Sequence, residues 1–185
     1  MKTSIPPSFW RAFSALCAAM LGLSFVSADA KDEKTLRIEF ENAKGEPVSF
    51  ETLKGKTLGF YFSAHWCPPC RQFTPTLVNF RNQNADEFEV IFVSFDNSDE
   101  EKESYMSEAK MPWLTIPGAK TRSADALAQT FGVKGYPSLI IIGPDGKMIT
   151  ANGRADVMLS PDTAIDKWKT AAASMTAANT SARKQ

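Results

Sequence analysis

Hydrophobic and polar positions change period along the chain, and the changes mark out its elements. Leu36 to Phe40 alternates as a half-buried strand, Asn42-Ala43-Lys44-Gly45 supplies turn chemistry, and the alternation resumes from Val48 to Leu53. This predicts an N-terminal β-hairpin. Thr57 to Ser63 is almost continuously apolar and aromatic, the pattern of a strand covered on both faces. From Pro68 to about Asn82 the period becomes helical, with Phe73, Leu77 and Phe80 on one face and Pro75 expected to kink the run.

Phe88 to Phe95 reads as a second buried strand. Ser98 and Glu101 have capping-box spacing and open a charged helix through about Lys110. Ala124 to Phe131 predicts a short helix stopped by Gly132. Ser138 to Ile142 is a third apolar strand, and Pro144-Asp145-Gly146 turns the chain into a fourth, Lys147 to Ala151. Ser160-Pro161 starts a last helix with Ile165 and Trp168 on its core face. Beyond Ala171 there is little to bury, so the end is expected to fray, with residues 176–185 a flexible tail. Strands alternating with helices imply an α/β fold with parallel pairing, while the short closing turn demands an antiparallel hairpin. A mixed central sheet flanked by helices follows.

Length and composition narrow the class. With 185 residues, 43% of them hydrophobic and 23% charged, the chain can build one core of ordinary size. Lys+Arg and Asp+Glu are equal at 21, so no global field favours nucleic acid. The first thirty residues read as an export signal. Lys2 and Arg11 precede an apolar run from Ala12 to Val26, which ends in Ala28-Asp29-Ala30 before Lys31. That run is about fifteen residues, short of the roughly 20 of a spanning helix, and an uncleaved anchor is the alternative. Cleavage leaves a near-neutral domain over residues 31–175. It also removes Cys17, so the mature chain keeps Cys67 and Cys70 as its cysteines.

The chemistry lies in Trp66-Cys67-Pro68-Pro69-Cys70-Arg71, between a buried strand and a helix. Cys67 falls near the N-cap and Cys70 near the third helical position, where unsatisfied amides and the helix dipole favour a thiolate. Pro68 and Pro69 have no N–H, so two of those donors are missing and Cys70 supplies the first that remains. Cys67 is therefore expected to be acidified less than in a motif offering all its amides. That suits a reductant, since a very stable thiolate is a poor nucleophile toward disulfides. A static disulfide and half of a metal site are the other readings. The first would close too short a loop to restrict the unfolded chain much, and the second has only Cys67, Cys70 and His65 to offer zinc.

An ordered set of segments resembles the thioredoxin superfamily, and within it the tryparedoxin/nucleoredoxin branch. They are Phe62-Ser63-Ala64-His65-Trp66-Cys67-Pro68-Pro69-Cys70-Arg71, Val93-Ser94-Phe95-Asp96, Lys110-Met111-Pro112-Trp113-Leu114, Phe131-Gly132-Val133 and Gly135-Tyr136-Pro137-Ser138-Leu139. The resemblance runs from about Thr57 to Arg154 and implies the thioredoxin fold. It also implies a cis Pro137 beside the cysteines, with the Tyr136 backbone meeting an incoming peptide. Ordinary thioredoxins carry a buried carboxylate six residues before the first cysteine; here that position is Tyr61. Deprotonation of Cys70 would then need water or another group. Arg154 matches an arginine of the branch near the active face, although a bare surface charge fits it as well.

Around the pair, His65 is read either as a local tuner or as a solvated loop residue. Trp66 is expected to screen the thiols and offer an apolar platform, with core packing the alternative, Arg71 to favour the thiolate under salt screening, and Trp113 to be a core or loop anchor and not a substrate contact. Asp99 to Glu103 reads as a helix N-terminus that complements the dipole. The expected function is that of an exported thiol–disulfide oxidoreductase, mainly a reductase, with Cys67 as nucleophile and Cys70 as resolving thiol. No metal or cofactor beyond the cysteine pair is expected. Its partners would be disulfide-containing proteins and an upstream thiol electron donor, for example a membrane thiol relay; a monomer is expected. The location would be periplasmic in a bacterium and otherwise secreted, or membrane-anchored if the signal stays. A dedicated reductant for cytochrome c maturation and a noncatalytic metal-carrying or interaction module are the alternatives.

Overall fold

The computed structural model describes residues 38–182, so the expected export segment lies outside the described residues. β1 (Phe40–Glu41) and β2 (Pro47–Val48) pair antiparallel across the predicted turn. In that turn the Asn42 side-chain carbonyl accepts from the N–H groups of Lys44 and Glu46, and Gly45 takes φ +76°. The alternation does not resume as a strand through Leu53. Phe50–Leu53 is a 3-10 helix, because the Ser49 hydroxyl accepts from the Glu51 N–H at 3.3 Å and Leu53 is drawn into the core.

β3 (Thr57–Ser63), α1 (Pro68–Gln83), β4 (Phe88–Ser94) and α2 (Asp99–Glu108) follow. β5 (Leu114–Thr115), α3 (Arg122–Thr130), β6 (Ser138–Ile142), β7 (Met148–Thr150), α4 (Gly153–Leu159) and α5 (Pro161–Ala182) complete the order. The sheet runs β2-β1-β5-β4-β3-β6-β7, with β3, β4 and β5 mutually parallel and the remaining pairs antiparallel. β3 and β4 sit at its centre and are buried at every position, as their unbroken apolar runs require.

Odd and even strand positions feed two separate cores. Phe60, Phe62, Ile91, Val93, Ile140 and Ile142 pack with Leu127 of α3 on one face. Tyr61, Val90, Phe92, Leu139 and Ile141 pack on the other with Phe73 and Leu77 of α1, Tyr105 of α2 and Trp168 of α5. Cys67 and Cys70 belong to the first cluster.

Two elements escaped the pattern reading. β5 is two residues long, too short to show a period. α4 opens at Gly153 after an Asn152 cap with no side-chain bond, so no start signal precedes it. The last helix also differs from expectation. α5 runs to Ala182 and includes residues 176–182, because the alanines that offer nothing to a core are still the strongest helix formers. Among the described residues no helix is long and apolar enough to cross a membrane.

Candidate active site

The turn from β3 to α1 carries the cysteines. Cys67 is the N-cap of α1 with extended backbone, Pro68 and Pro69 occupy the first two helical positions, and Cys70 the third. The two sulfurs are bonded to each other across a Cα separation of 5.2 Å. Cys67 keeps 5% of its surface and Cys70 none, so a partner that reaches the pair reaches Cys67. In this oxidised form the Cys70 N–H donates to the Cys67 carbonyl at 3.0 Å, joined by the Arg71 N–H at 3.2 Å. The donor expected to face the sulfur is thus engaged by the main chain, which closes the first turn.

The end of β4 clamps the residues just before Cys67. The His65 N–H donates to the Asp96 carboxylate at 2.6 Å, and the Trp66 indole Nε1–H donates to the Phe95 carbonyl at 3.0 Å. Arg71 turns its guanidinium onto the His65 carbonyl, and so steadies the loop rather than aiming at a sulfur. His65 is not a solvated loop residue. Its ring stacks on Tyr105 with centroids 5.2 Å apart and planes 12° from parallel, and its Nε2 lies 3.0 Å from the Glu108 carboxylate. Asp96 is fully buried. That burial raises its carboxyl above the ordinary 3.8, partly offset by bonds from the His65 N–H and the Ser94 hydroxyl.

Beneath Cys70, Tyr61 occupies the position where ordinary thioredoxins hold a carboxylate. Its hydroxyl lies 3.3 Å from the Cys70 carbonyl and 2.8 Å from Thr74 Oγ1, and accepts from Ser63 Oγ at 3.0 Å. Burial, then the nearby Tyr105, raises the phenol well above its usual value, so Tyr61 stays protonated and is no base at neutral pH. On the exposed side, Trp66 is 51% accessible and meets Tyr136 edge-on at 6.3 Å, while Tyr136 leans on Phe95 at 4.7 Å. The Tyr136–Pro137 bond is cis, as the resemblance implied. Ser138, the next residue, pairs with Phe62, which sets this proline at the sheet end where β3 leads to the cysteines.

Residues 55–148 match the family model described as thioredoxin-like. The chain belongs to that family. Mouse (Mus musculus) nucleoredoxin is 41% identical over 127 residues, 67% of this chain and 29% of the relative. The chain thus spans under a third of the nucleoredoxin length it matches. Trypanosoma brucei brucei tryparedoxin is 41% identical over 129 residues, 68% of this chain and 88% of that protein. The solved structure of tryparedoxin II from C. fasciculata superposes with a TM-score of 0.63 at 38% identity, over 68% of this chain and 84% of the other. These relatives place the thioredoxin-like domain in the tryparedoxin/nucleoredoxin branch.

Other residues of this thioredoxin-like site fall at varied distances from the pair. Arg154, at the start of α4, holds its guanidinium carbon 5.8 Å from the ring centroid of Phe73, three residues beyond Cys70. Its Nε is buried without a hydrogen-bond partner among the described residues. Arg154 is therefore packed against α1 and is no bare surface charge. Trp113 is fully buried and meets Tyr61 edge-on at 6.1 Å, the core anchor expected of it. Asp99 to Glu101 occupy the first turn of α2, and Asp99 accepts from the Ala119 N–H at 2.7 Å. A cleft of about 610 Å³ between the β1–β2 turn and α2 contains none of the predicted site residues. Ser63, Thr74, Tyr105 and Glu108 carry no local signal of a site role in the sequence. Asp96 stands there as a strand end, and the polar Ser94–Asp96 pair closing an apolar strand is the one signal that marks it.

Proposed function

We propose that this thioredoxin-like chain is an exported thiol–disulfide oxidoreductase that mainly reduces protein disulfides. The observation that carries the reading is the asymmetry of the pair: Cys67 keeps a little surface at the start of α1, beside the exposed Trp66, and Cys70 is buried one turn in. In the reduced enzyme the Cys67 thiolate attacks one sulfur of a substrate disulfide. That S–S bond breaks, a mixed disulfide forms, and the first substrate thiol leaves. Cys70 then loses its proton and attacks the Cys67 sulfur. The second substrate thiol is released and the Cys67–Cys70 bond closes.

Two electrons and two protons must return from an upstream thiol donor, and a membrane thiol relay is the class that fits an exported domain. Export is supported by the basic leader, the apolar run and Ala28-Asp29-Ala30. Recovery of a mature chain beginning at Lys31 outside the cytoplasm is the expected result, and an intact Met1 terminus in the cytoplasm overturns it.

Insulin-disulfide reduction with a chemical reductant tests the activity. Wild type is expected to turn over, Cys67→Ser to lose activity, and Cys70→Ser to accumulate mixed disulfides that identify the partners. Turnover that survives Cys67→Ser excludes this nucleophile, and an inert wild type rejects the reading.

A further inference from the structure

We propose that Tyr105, a residue of α2 outside the cysteine motif, is a positioning residue of the dithiol that braces both flanks of the Cys67–Cys70 loop at once. On the downstream flank its hydroxyl closes a ring of four. Tyr61 and Thr74 are 2.8 Å apart, Thr74 and Tyr105 2.6 Å, Tyr105 and Ser63 3.2 Å, and Ser63 and Tyr61 3.0 Å. All four residues are buried. The ring sits on the Cys70 carbonyl, which accepts from Thr74 Oγ1 at 2.9 Å and faces the Tyr61 hydroxyl at 3.3 Å. On the upstream flank the face of the same tyrosine carries the His65 ring, two residues before Cys67.

Each hydroxyl brings one proton, so the ring and its two contacts to the carbonyl share four protons among more contacts than these can fill. Removing the Tyr105 hydroxyl opens the ring and takes one contact each from Thr74 and Ser63, in a place water does not reach. With Tyr105 donating to Thr74 and Thr74 donating to the Cys70 carbonyl, that carbonyl and His65 are both referred to one rigid side chain. That holds Cys70 where its sulfur meets that of Cys67, and so raises the effective concentration of one thiol at the other. A braced pair favours the disulfide, so the reduced protein is a stronger reductant. Loosening the brace is therefore expected to favour the open dithiol.

The inference rests on the reading of Cys67 and Cys70 as the reacting pair, and the test separates the two. The protein is equilibrated in glutathione buffers of graded thiol-to-disulfide ratio. Two glutathione thiols are oxidised to their disulfide, and two electrons and two protons open the Cys67–Cys70 bond. Tyr105→Phe keeps the aromatic face and removes the hydroxyl. Its equilibrium is expected to shift toward the dithiol by about threefold to tenfold, tenfold being about 30 mV. Thr74→Val removes the neighbouring hydroxyl, the one that donates to the Cys70 carbonyl, and carries the test alone if Tyr105→Phe does not fold; the same direction is expected. The double variant should shift no further than the larger single one, since either change already breaks the ring. A folded variant with an unchanged equilibrium, a shift toward the disulfide, or additive shifts overturns the proposal. A wild type that does not cycle at all overturns the oxidoreductase reading instead.

Discussion

His65 and Asp96 are joined by a main-chain to side-chain hydrogen bond of 2.6 Å, made between the turn that delivers Cys67 and the second residue past the end of β4. The bond fixes the approach to α1 from outside the motif. Asp96→Ala leaves the His65 N–H and the Ser94 hydroxyl without their acceptor and is expected to cost about 1–3 kcal/mol. Asp96→Asn retains an acceptor oxygen and should lose less. Urea unfolding of the two variants measures both.

Asp96 also makes stability depend on pH, with a definite sign. Burial raises its carboxyl above 3.8, so above that value the folded chain holds a proton the unfolded chain has released. Stability contributed by this group is fully present below 3.8 and is lost as the pH rises through the folded value. Asp96→Asn has no such window. The stability difference should move in the variant's favour as pH rises from about 3 and level off once Asp96 is ionised. Paired urea titrations across that range check it, and a constant difference contradicts it.

Trp66 is half exposed, yet its indole is tied to Phe95 and its ring to Tyr136. Trp66→Ala is expected to change thermal stability little and to lower kcat/KM for insulin by about fivefold or more, the equivalent of about 1 kcal/mol of lost contact. Trp66→Phe should recover part of the loss, because a ring still stands against Tyr136.

Lys110 closes α2 in the left-handed region at φ +51°, with the Met111 N–H donating to the Met106 carbonyl at 2.9 Å. A Cβ is unfavourable there, so Lys110→Gly should stabilise the fold by about 1 kcal/mol. A raised urea midpoint with an unchanged slope is the expected signature.

Gly153 sets how closely α4, and with it Arg154, lies against β6. A Cβ at that position would stand 2.7 Å from the Ile141 side chain and 2.8 Å from the Leu139 carbonyl oxygen, and the backbone oxygen has no room to give. Gly153→Ala is expected to destabilise by about 1–3 kcal/mol. Tm should fall by about 3–10 °C.

How much of this was legible in advance varies by element. β3 was predicted over Thr57 to Ser63 and occupies Thr57–Ser63, because a strand buried on both faces leaves an unbroken apolar run. Cys67 at the N-cap and Pro68 at the first helical position are local facts, written in adjacent residues. The capping box of α2 was half right. Ser98 accepts from the Glu101 N–H, but the Glu101 carboxylate reaches back to the Asn97 N–H instead of that of Ser98.

Illegible were the contacts that join residues far apart in the chain. Tyr105 lies 31 residues from Thr74 and 42 from Ser63, and Asp96 lies 31 from His65. α2 reads in sequence as a charged surface helix, and nothing in its own pattern says that Tyr105 faces the hydroxyls under Cys70.

The chain's local chemistry, taken alone, determined that two thiols would stand at the start of a helix behind a buried strand, since spacing, prolines and apolar runs act within a few residues. Which groups surround those thiols was decided only in three dimensions. The parallel pairing of β3 with β4 brings Phe95 and Asp96 beside the turn, and the crossing of α2 brings Tyr105 and Glu108. Hydrogen bonds and ring contacts act over a few ångströms of space, and sequence separation does not reveal that distance until the sheet has been assembled.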